Sequence, residues 1–574
     1  MGTAGEPPLL DGGVGEGRGP GMLLPWVPGY QPSWFRADLL AGLTTAAVVV
    51  PKAMAYATVA GLPPQVGLYT AFVPAAIYAL VGGSRVLSVT TTGTLAILAA
   101  AALGQVASAG TVGGLVTATA TLSLLVGAML VAAGLLRLGF VANFISEPVL
   151  AGFKAAIGLV IVVDQLPKAL GLHVDKAGFL RDLVALGGKL GETSLPTLAV
   201  SAATAALILG MKRWLPALPA ALLAVAIGIA ATALLGLGDL GVTTIGVLAG
   251  GLPSPVRPDL GLLATLWPAA AGIALMSFTE TIAAGRAFAA GSDQRPLANR
   301  ELIATGLANA AGGLLGAMPA GGGTSQTSVA QRSGARSQVA GLVGALAALA
   351  VLLFLAPAIA LLPQATLATI VIIYSAELVS LGEFRAIRAV RRMELLWSAV
   401  AFAGVVVLGT LKGILVAVIT SVVALAHQAN NPPVYAVGRK PGTDVFRRRT
   451  AEHPEDEAFP GLLLLRIEGR LYFGNAQRVL DHMAMLVRQA APRVIVLECS
   501  AIIDMEYSAL KMLAEAERRV REHGGELWLA ALNPEVLRVV ERSPLGQALG
   551  RERMFFTLQH AVERFQAVSP GAGP

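Results

Sequence analysis

The chain has one cysteine, Cys499, in 574 residues. A lone thiol excludes a disulfide framework and a multi-cysteine metal site. The six histidines are scattered, with no metal-ligand spacing among them. Charge is scarce as well: 13% of residues are charged against 55% hydrophobic, and the mean hydropathy is +0.69. Soluble domains carry about 25% charged residues, so this composition excludes an ordinary soluble chain and indicates a membrane protein. Val86 to Leu136 and Val339 to Ala376 hold no Asp, Glu, Lys or Arg at all. Each run is long enough for more than one span of about 20 residues. The net charge of +7 lies largely in loops flanking the apolar segments and does not imply a nucleic-acid partner.

What is present is an abundance of Gly and Ala, which close helix packing in lipid favours, and two hydroxyl-rich breaks. One is Ser88-Val89-Thr90-Thr91-Thr92-Gly93-Thr94 and the other Gly321-Gly322-Gly323-Thr324-Ser325-Gln326-Thr327. Each opens a short apolar segment, at corresponding places in two halves. Interrupted segments at matched positions point to a transporter's binding site. Backbone leaves the helix at membrane depth only where protein or a water-filled cavity satisfies it. Two half-helices whose N-termini meet would offer N–H groups and positive dipole ends, which suit an anion.

About fourteen apolar segments run from Asp38 to Gln428. The first seven lie near 38–60, 66–82, 92–105, 112–136, 147–170, 194–211 and 217–237; the second seven near 262–290, 300–317, 325–335, 339–360, 364–381, 393–410 and 411–428. The third and tenth are too short to span alone. With the N-terminus inside, loops after even-numbered segments carry Arg85, Arg137, Lys212 with Arg213, Arg295 with Arg300, Arg332 with Arg336, and Arg385, Arg388, Arg391 and Arg392. The opposite loops Gly61–Gln65 and Pro357–Gln364 carry no basic residue. This positive-inside pattern places both termini in the cytoplasm. An odd number of segments per half makes the halves inverted repeats, about 38–237 and 262–428.

Met1 to Leu24 is Gly- and Pro-rich, lacks the pattern of a secretory signal, and reads as a disordered cytoplasmic tail, 1–24. The transport domain is expected over 25–430 and a cytoplasmic domain over 431–570. In the latter, Leu462–Ile467, Val494–Leu497 and Glu526–Ala530 read as buried strands, and Ser508–Val520 and Pro534–Ser543 as helices, which argues a small α/β domain. It shows no nucleophile–base arrangement and no phosphate loop.

Pro51-Lys52-Ala53-Met54-Ala55-Tyr56-Ala57, Ala60-Gly61-Leu62-Pro63-Pro64 and Val66-Gly67-Leu68-Tyr69-Thr70-Ala71-Phe72-Val73-Pro74 closely resemble the SulP/SLC26 anion transporter family. Ser84-Arg85-Val86-Leu87-Ser88-Val89, Glu280-Thr281-Ile282-Ala283 through Arg286-Ala287-Phe288-Ala289, and Leu471-Tyr472-Phe473-Gly474-Asn475-Ala476 continue the match, the last within the family's C-terminal STAS domain. The resemblance runs from about Trp34 to Phe565. It implies an α-helical polytopic membrane protein with fourteen segments in two inverted repeats, core and gate subdomains, and a cytoplasmic α/β STAS domain. It also implies an anion site between segments three and ten, elevator-like alternating access, and a homodimer in a bacterial inner membrane. Three departures stand out: Lys52 replaces the usual Gln, Thr90-Thr91 the usual Gly-Pro, and Ser325-Gln326-Thr327 the common Ser-Arg-Ser. The STAS loop, usually Asp-Ser/Thr-Ser-Gly, reads Asp504-Met505-Glu506-Tyr507-Ser508.

Lys52 lies about 21 Å into the first helix at about 1.5 Å per residue, inside a hydrocarbon core about 30 Å thick. Inserting such a lysine costs about 2.5–3.5 kcal/mol, so a cavity and a partner are expected. Two readings stand: a structural pair with Glu280, or the site's cation, standing in for the arginine of relatives at the Gln326 position. Glu280, in an otherwise apolar segment, is a candidate ligand for a coupling H+ or Na+, or a charge balance for Lys52. Thr92, Gly93, Thr324 and Ser325 would give hydroxyl or N–H donors to an oxyanion, or merely let helices approach. Tyr56, one turn after Lys52, walls the same cavity or packs. Lys154 and Asp164 read as structural charges in segment five, and Arg286 as snorkelling to the interface. In the STAS domain, Asp504 and Ser508 mark a regulatory loop and a possible cytoplasmic partner, and Asp444 with Arg447-Arg448-Arg449 a solvated or lipid-facing patch.

Sulfate is the default substrate on family grounds, with bicarbonate and dicarboxylates as alternatives. A non-transporting scaffold acting through its STAS domain is a second class. No catalytic constellation supports an enzyme, and no resident cofactor or metal is expected. A nucleobase–cation symporter would share the membrane fold but not the STAS domain.

Overall fold

A computed structural model describes residues 23–106, 112–144, 146–174, 179–215, 218–246, 251–289 and 297–568. Most of the expected N-terminal tail, and Arg295, lie outside them. The chain divides into two units, Met1–Ser421 and Val422–Pro574.

The first unit is helical. Its helices are α1 (Phe35–Val59), α2 (Pro64–Val81), α3 (Gly93–Gly104), α4 (Val112–Leu135), α5 (Glu147–Leu170), α6 (Phe179–Lys189), α7 (Leu195–Trp214) and α8 (Ala220–Leu235). Then come α9 (Leu263–Ala287), α10 (Ala298–Leu314), α11 (Thr324–Arg332), α12 (Val339–Phe354), α13 (Ala356–Ile359), α14 (Gln364–Ala376), α15 (Leu381–Val390), α16 (Arg392–Leu408) and α17 (Thr410–Ala429). Every expected apolar segment coincides with a helix. Among the described residues, eight helices are long and apolar enough to cross a membrane. Helices α6 and α15 were not expected: each alternates apolar with charged residues over about three turns, too short and too polar for a hydropathy signal.

The helices pack in two groups. In one, α4 lies on α10, α10 on α2, α1 on α2 and α12, and α3 and α4 on α9. In the other, α5 packs on α14 and α16, and α7 on α14. Helix α1 reaches across to α14. Small residues set these distances. A Cβ on Gly67 of α2 would stand 2.0 Å from the Ala53 carbonyl oxygen of α1, so the two backbones touch where no side chain fits.

The second unit carries a six-stranded sheet. Its strands, preceded in the chain by β1 (Val89–Thr90) and β2 (Gly321–Gly322) of the first unit, are β3 (Val434–Arg439), β4 (Phe446–Arg448), β5 (Leu462–Ile467), β7 (Val494–Glu498), β9 (Glu526–Ala530) and β10 (Met554–Phe555). They run in the order β10-β9-β7-β5-β3-β4, and β6 (Gly469–Leu471) pairs separately with β8 (Ile502–Met505). Strands β5, β7, β9 and β10 are parallel to one another, while β3 joins β5 and β4 antiparallel at the other edge. Both faces are covered, which is why these strands read as unbroken apolar runs. Leu463, Leu465, Ile495, Leu497, Leu527 and Leu529 face α18 (Ala476–Ala490), α19 (Tyr507–Glu522), α20 (Pro534–Glu541) and α21 (Pro544–Leu549). Leu462, Leu464, Val496 and Trp528 face α22 (Leu558–Val568).

Candidate anion site

The two breaks meet. Val89 pairs with Gly322 and Thr90 with Gly321 in a two-residue antiparallel ladder, extended by the Gly323 N–H to the Ser88 carbonyl at 3.1 Å. Glycine is required here, because a Cβ on Gly322 would lie 2.7 Å from the Thr281 Cα of α9. Hydroxyls and one amide satisfy the backbone that leaves the helical pattern. Ser277 Oγ donates to the Ala320 carbonyl at 2.7 Å, and the Gly322 N–H donates to Thr281 Oγ1 at 2.9 Å. Asn309 of α10 brackets Ala320, donating to its carbonyl at 2.9 Å and accepting from its N–H at 2.8 Å. The Ser88 N–H donates to Thr327 Oγ1 at 3.1 Å.

Each antiparallel strand of this ladder leads C-terminally into its own helix, β1 into α3 and β2 into α11. Thr92 caps α3 by accepting from the Leu95 N–H at 3.3 Å. The cap residue of α11 is Gly323, which brings no side chain, and Thr324 and Ser325 in the first turn are exposed. The first N–H groups of α11 thus have no capping oxygen among the described residues.

Lys52 follows Pro51 inside α1 and is 6% exposed. Its Nζ donates to Ser325 Oγ at 2.8 Å and lies 3.9 Å from the centroid of the Tyr374 ring. Lys212 Nζ stands 4.3 Å from the same centroid and 2.5 Å from Glu377 Oε1. The charges acting on Lys52 are Glu377 and Lys212. Glu280 is engaged elsewhere: Thr92 Oγ1 donates to its Oε2 at 2.8 Å, Thr94 adds a second hydroxyl, and Lys154 of α5 is the charge that acts on it. A direct Lys52–Glu280 pair is therefore not what the structure forms.

Tyr56 stands beside α3, its ring 3.5 Å from where a Cβ on Gly93 would be. Gln326, 5% exposed, donates to Thr90 Oγ1 at 2.7 Å. Lys52, Tyr56, Thr92, Gly93, Thr324, Ser325, Gln326 and Glu280 thus gather around one ladder. Sequence reasoning missed Tyr374, Lys212 and Glu377 as neighbours of Lys52. Tyr374 near the end of the charge-free run Val339–Ala376, followed at once by Glu377, was the available signal.

In the second unit Asp504 pairs with Arg470 at 3.0 Å, and Ser508 is exposed in the first turn of α19. Arg447 forks onto Asp456 at 2.8 and 2.9 Å, and Arg448 lies over the Tyr435 ring. That basic run is partly internal structure rather than a free patch.

Paired half-helices that start at one ladder, the second of them uncapped, with a buried lysine beside it in a multi-helix apolar unit, fit a membrane transporter. Residues 35–401 match the Sulfate permease family and residues 453–561 the STAS domain. The chain belongs to the sulfate permease family, which is made up of transporters. A protein of Mycobacterium tuberculosis (strain CDC 1551 / Oshkosh) described as "Probable sulfate transporter" is 34% identical, covering 94% of this chain and 98% of its own. Human solute carrier family 26 member 6 is 31% identical, covering 87% of this chain and 67% of its own. Among solved structures, the murine solute carrier 26 member A9 anion transporter in the inward-facing state has a TM-score of 0.86 at 21% identity, covering 95% of this chain and 94% of its own, a likeness of fold. The transmembrane domain of a cyanobacterium bicarbonate transporter has a TM-score of 0.60 at 26% identity, covering 68% of this chain and 98% of its own.

Proposed function

We propose that this protein carries a small oxyanion, sulfate foremost, across a bacterial inner membrane by secondary active transport. The observation that carries this reading is the Lys52 ammonium on Ser325 Oγ at 2.8 Å, at the exposed and uncapped start of α11. A cation, two hydroxyls and free N–H groups converge there, and each favours an oxyanion. Gln326 faces Thr90, so the positive charge that relatives place at that position is supplied here from α1. The sulfate transporter relatives support the substrate.

Fourteen segments in inverted repeats, both termini cytoplasmic, complete the arrangement. The α1–α2–α10–α4 group moves past the α5–α14–α16 group as an elevator, with Glu280 coupling the cycle to H+ or Na+. The protein works as a homodimer, and the STAS domain serves regulation through its Asp504–Ser508 loop.

Bicarbonate is the second reading, favoured by the likeness to the bicarbonate transporter's transmembrane domain. Labelled sulfate uptake into proteoliposomes, with and without an inward proton or sodium gradient and in competition with bicarbonate and fumarate, separates them. Gradient-driven sulfate uptake supports the leading reading. Uptake of labelled bicarbonate but not sulfate moves the substrate, and silence for every anion overturns transport.

A further inference from the structure

Thr92 was expected to donate to the anion, yet its hydroxyl proton is already committed to Glu280. A hydroxyl has one donor and two acceptor positions. In the structure the donor goes to Glu280 Oε2 at 2.8 Å, and one acceptor position takes the Leu95 N–H at 3.3 Å. While Glu280 is an ionised carboxylate it only accepts, so Thr92 has no proton to offer an anion at the α3 start.

We propose that Thr92 is the positioning residue through which the charge state of Glu280 controls anion affinity. This rests on the transport reading above. A proton taken from solution by Glu280 turns its carboxyl into a donor. The Glu280 O–H then fills the second acceptor position of Thr92 Oγ1, the Leu95 N–H keeps the first, and the Thr92 hydroxyl proton is released toward the mouth of α3. The count closes: one proton bound at Glu280 yields one free donor at the site, with no group left unsatisfied. The anion gains a hydrogen bond and loses the repulsion of a neighbouring carboxylate. Anion binding in turn favours the protonated carboxyl by the same factor, since coupling between two ligands is reciprocal.

The surroundings isolate this contact. Thr94 of α3, Lys154 of α5 and the Tyr56 phenol of α1 are the polar and titratable groups acting with Glu280. Helix α4 has no ionisable residue between Val112 and Leu135. On α10, Glu301 is engaged by Tyr78 and the Gly83 N–H, and on α11 the nearest charge is Arg332 at the far end. Thr92 also stands at the junction that matters, because it is at once the cap of α3 and the side chain joining that helix start to α9.

The test is binding of labelled sulfate to the full-length protein in sodium-free detergent solution across a pH series, for wild type, Glu280→Gln, Thr92→Val and Thr92→Ser. Wild-type affinity is expected to rise as pH falls, approaching tenfold per pH unit where one proton is linked. Glu280→Gln, whose amide donates permanently to Thr92, is expected to bind at the tight limit with no pH dependence. Thr92→Val is expected to bind about tenfold or more weakly at low pH, because a hydrogen bond to a charged ligand is lost, and with a flattened pH profile. Thr92→Ser should restore both. Thr92→Val with the wild-type pH profile overturns the proposal and leaves transport standing. Absence of sulfate binding in folded wild type and Glu280→Gln alike overturns the sulfate reading, and the proposal falls with it.

Discussion

The ammonium of Lys52 lies 3.9 Å from the centroid of the Tyr374 ring, with Lys212 at 4.3 Å from the same centroid. One aromatic ring of α14 therefore meets two cations, one from α1 and one from α7. A ring quadrupole attracts a cation without adding a negative charge, so this contact does not compete with an anion at Ser325. Tyr374→Leu is expected to weaken anion affinity roughly 10- to 30-fold, taking a desolvated cation–π contact as about 2 kcal/mol. Tyr374→Phe should bind like wild type, because the ring and not the phenol makes the contact. A binding isotherm for each variant checks this, and equal losses in both would refute the ring's role.

Lys52→Gln removes the buried cation of the site while keeping a side chain that can reach Ser325 Oγ. Anion binding should be lost with the fold intact, as read by thermal unfolding alongside labelled-anion binding. Near-normal affinity would move the site's charge elsewhere.

Asn309 satisfies both backbone groups of Ala320. Asn309→Leu orphans a buried N–H outright and leaves the carbonyl with Ser277 alone, and an unsatisfied buried group costs about 1–3 kcal/mol. A clear fall in melting temperature and a weakened anion site are expected together. An unchanged melting curve would show that the ladder draws its support from another source.

Cys499 is 0% exposed on the sheet of the second unit. Burial pushes its thiol above the usual 9.0, and the Glu498 charge acts in the same direction. The native protein should resist maleimide at neutral pH and react once unfolded. Its folded pKa is raised, so this stabilisation is complete below the ordinary thiol pKa and is lost as pH rises above it. Unfolding measured at pH 8 and 10 should show the decline, and Cys499→Ala should flatten that part of the profile.

Asp456 responds at the other end of the scale. The Arg447 guanidinium, hydrogen-bonded to both its oxygens, holds the Asp456 carboxyl below its usual 3.8. This contribution is present above the ordinary carboxylate pKa and is lost as pH falls through the depressed one. Asp456→Asn should therefore lower the stability of the second unit at pH 7 and reduce its further loss in acid. Wild-type behaviour at both pH values would count against the pair.

Much of the architecture was legible. The apolar segments coincide with helices because a membrane span needs a continuous apolar run, which composition alone displays. The breaks at Ser88–Thr94 and Gly321–Thr327 were visible for the converse reason, as hydroxyls and glycines where a span should continue. Helices α6, α15 and α18 were not legible, because short amphipathic helices carry charge at the positions a hydropathy window averages away. The strands β5, β7 and β9 read correctly since both sheet faces are covered, whereas β3 and β4, at one edge of the sheet, carry Arg and Tyr among their apolar residues.

The pattern of the chain by itself determined that this is a multi-helix membrane protein, that two matched half-helices begin in small hydroxyl residues, and that Lys52 and Glu280 are buried charges. Only the tertiary structure decided their partners: Ser325 and Tyr374 for Lys52, and Thr92 for Glu280. The physical reason is separation along the chain. Burial is a local property, paid in transfer free energy by each residue and visible in its neighbours. A hydrogen bond between positions 52 and 325, 273 residues apart, depends on how helices pack, and two carboxylates or two hydroxyls of equal local character differ only in what the fold brings to them.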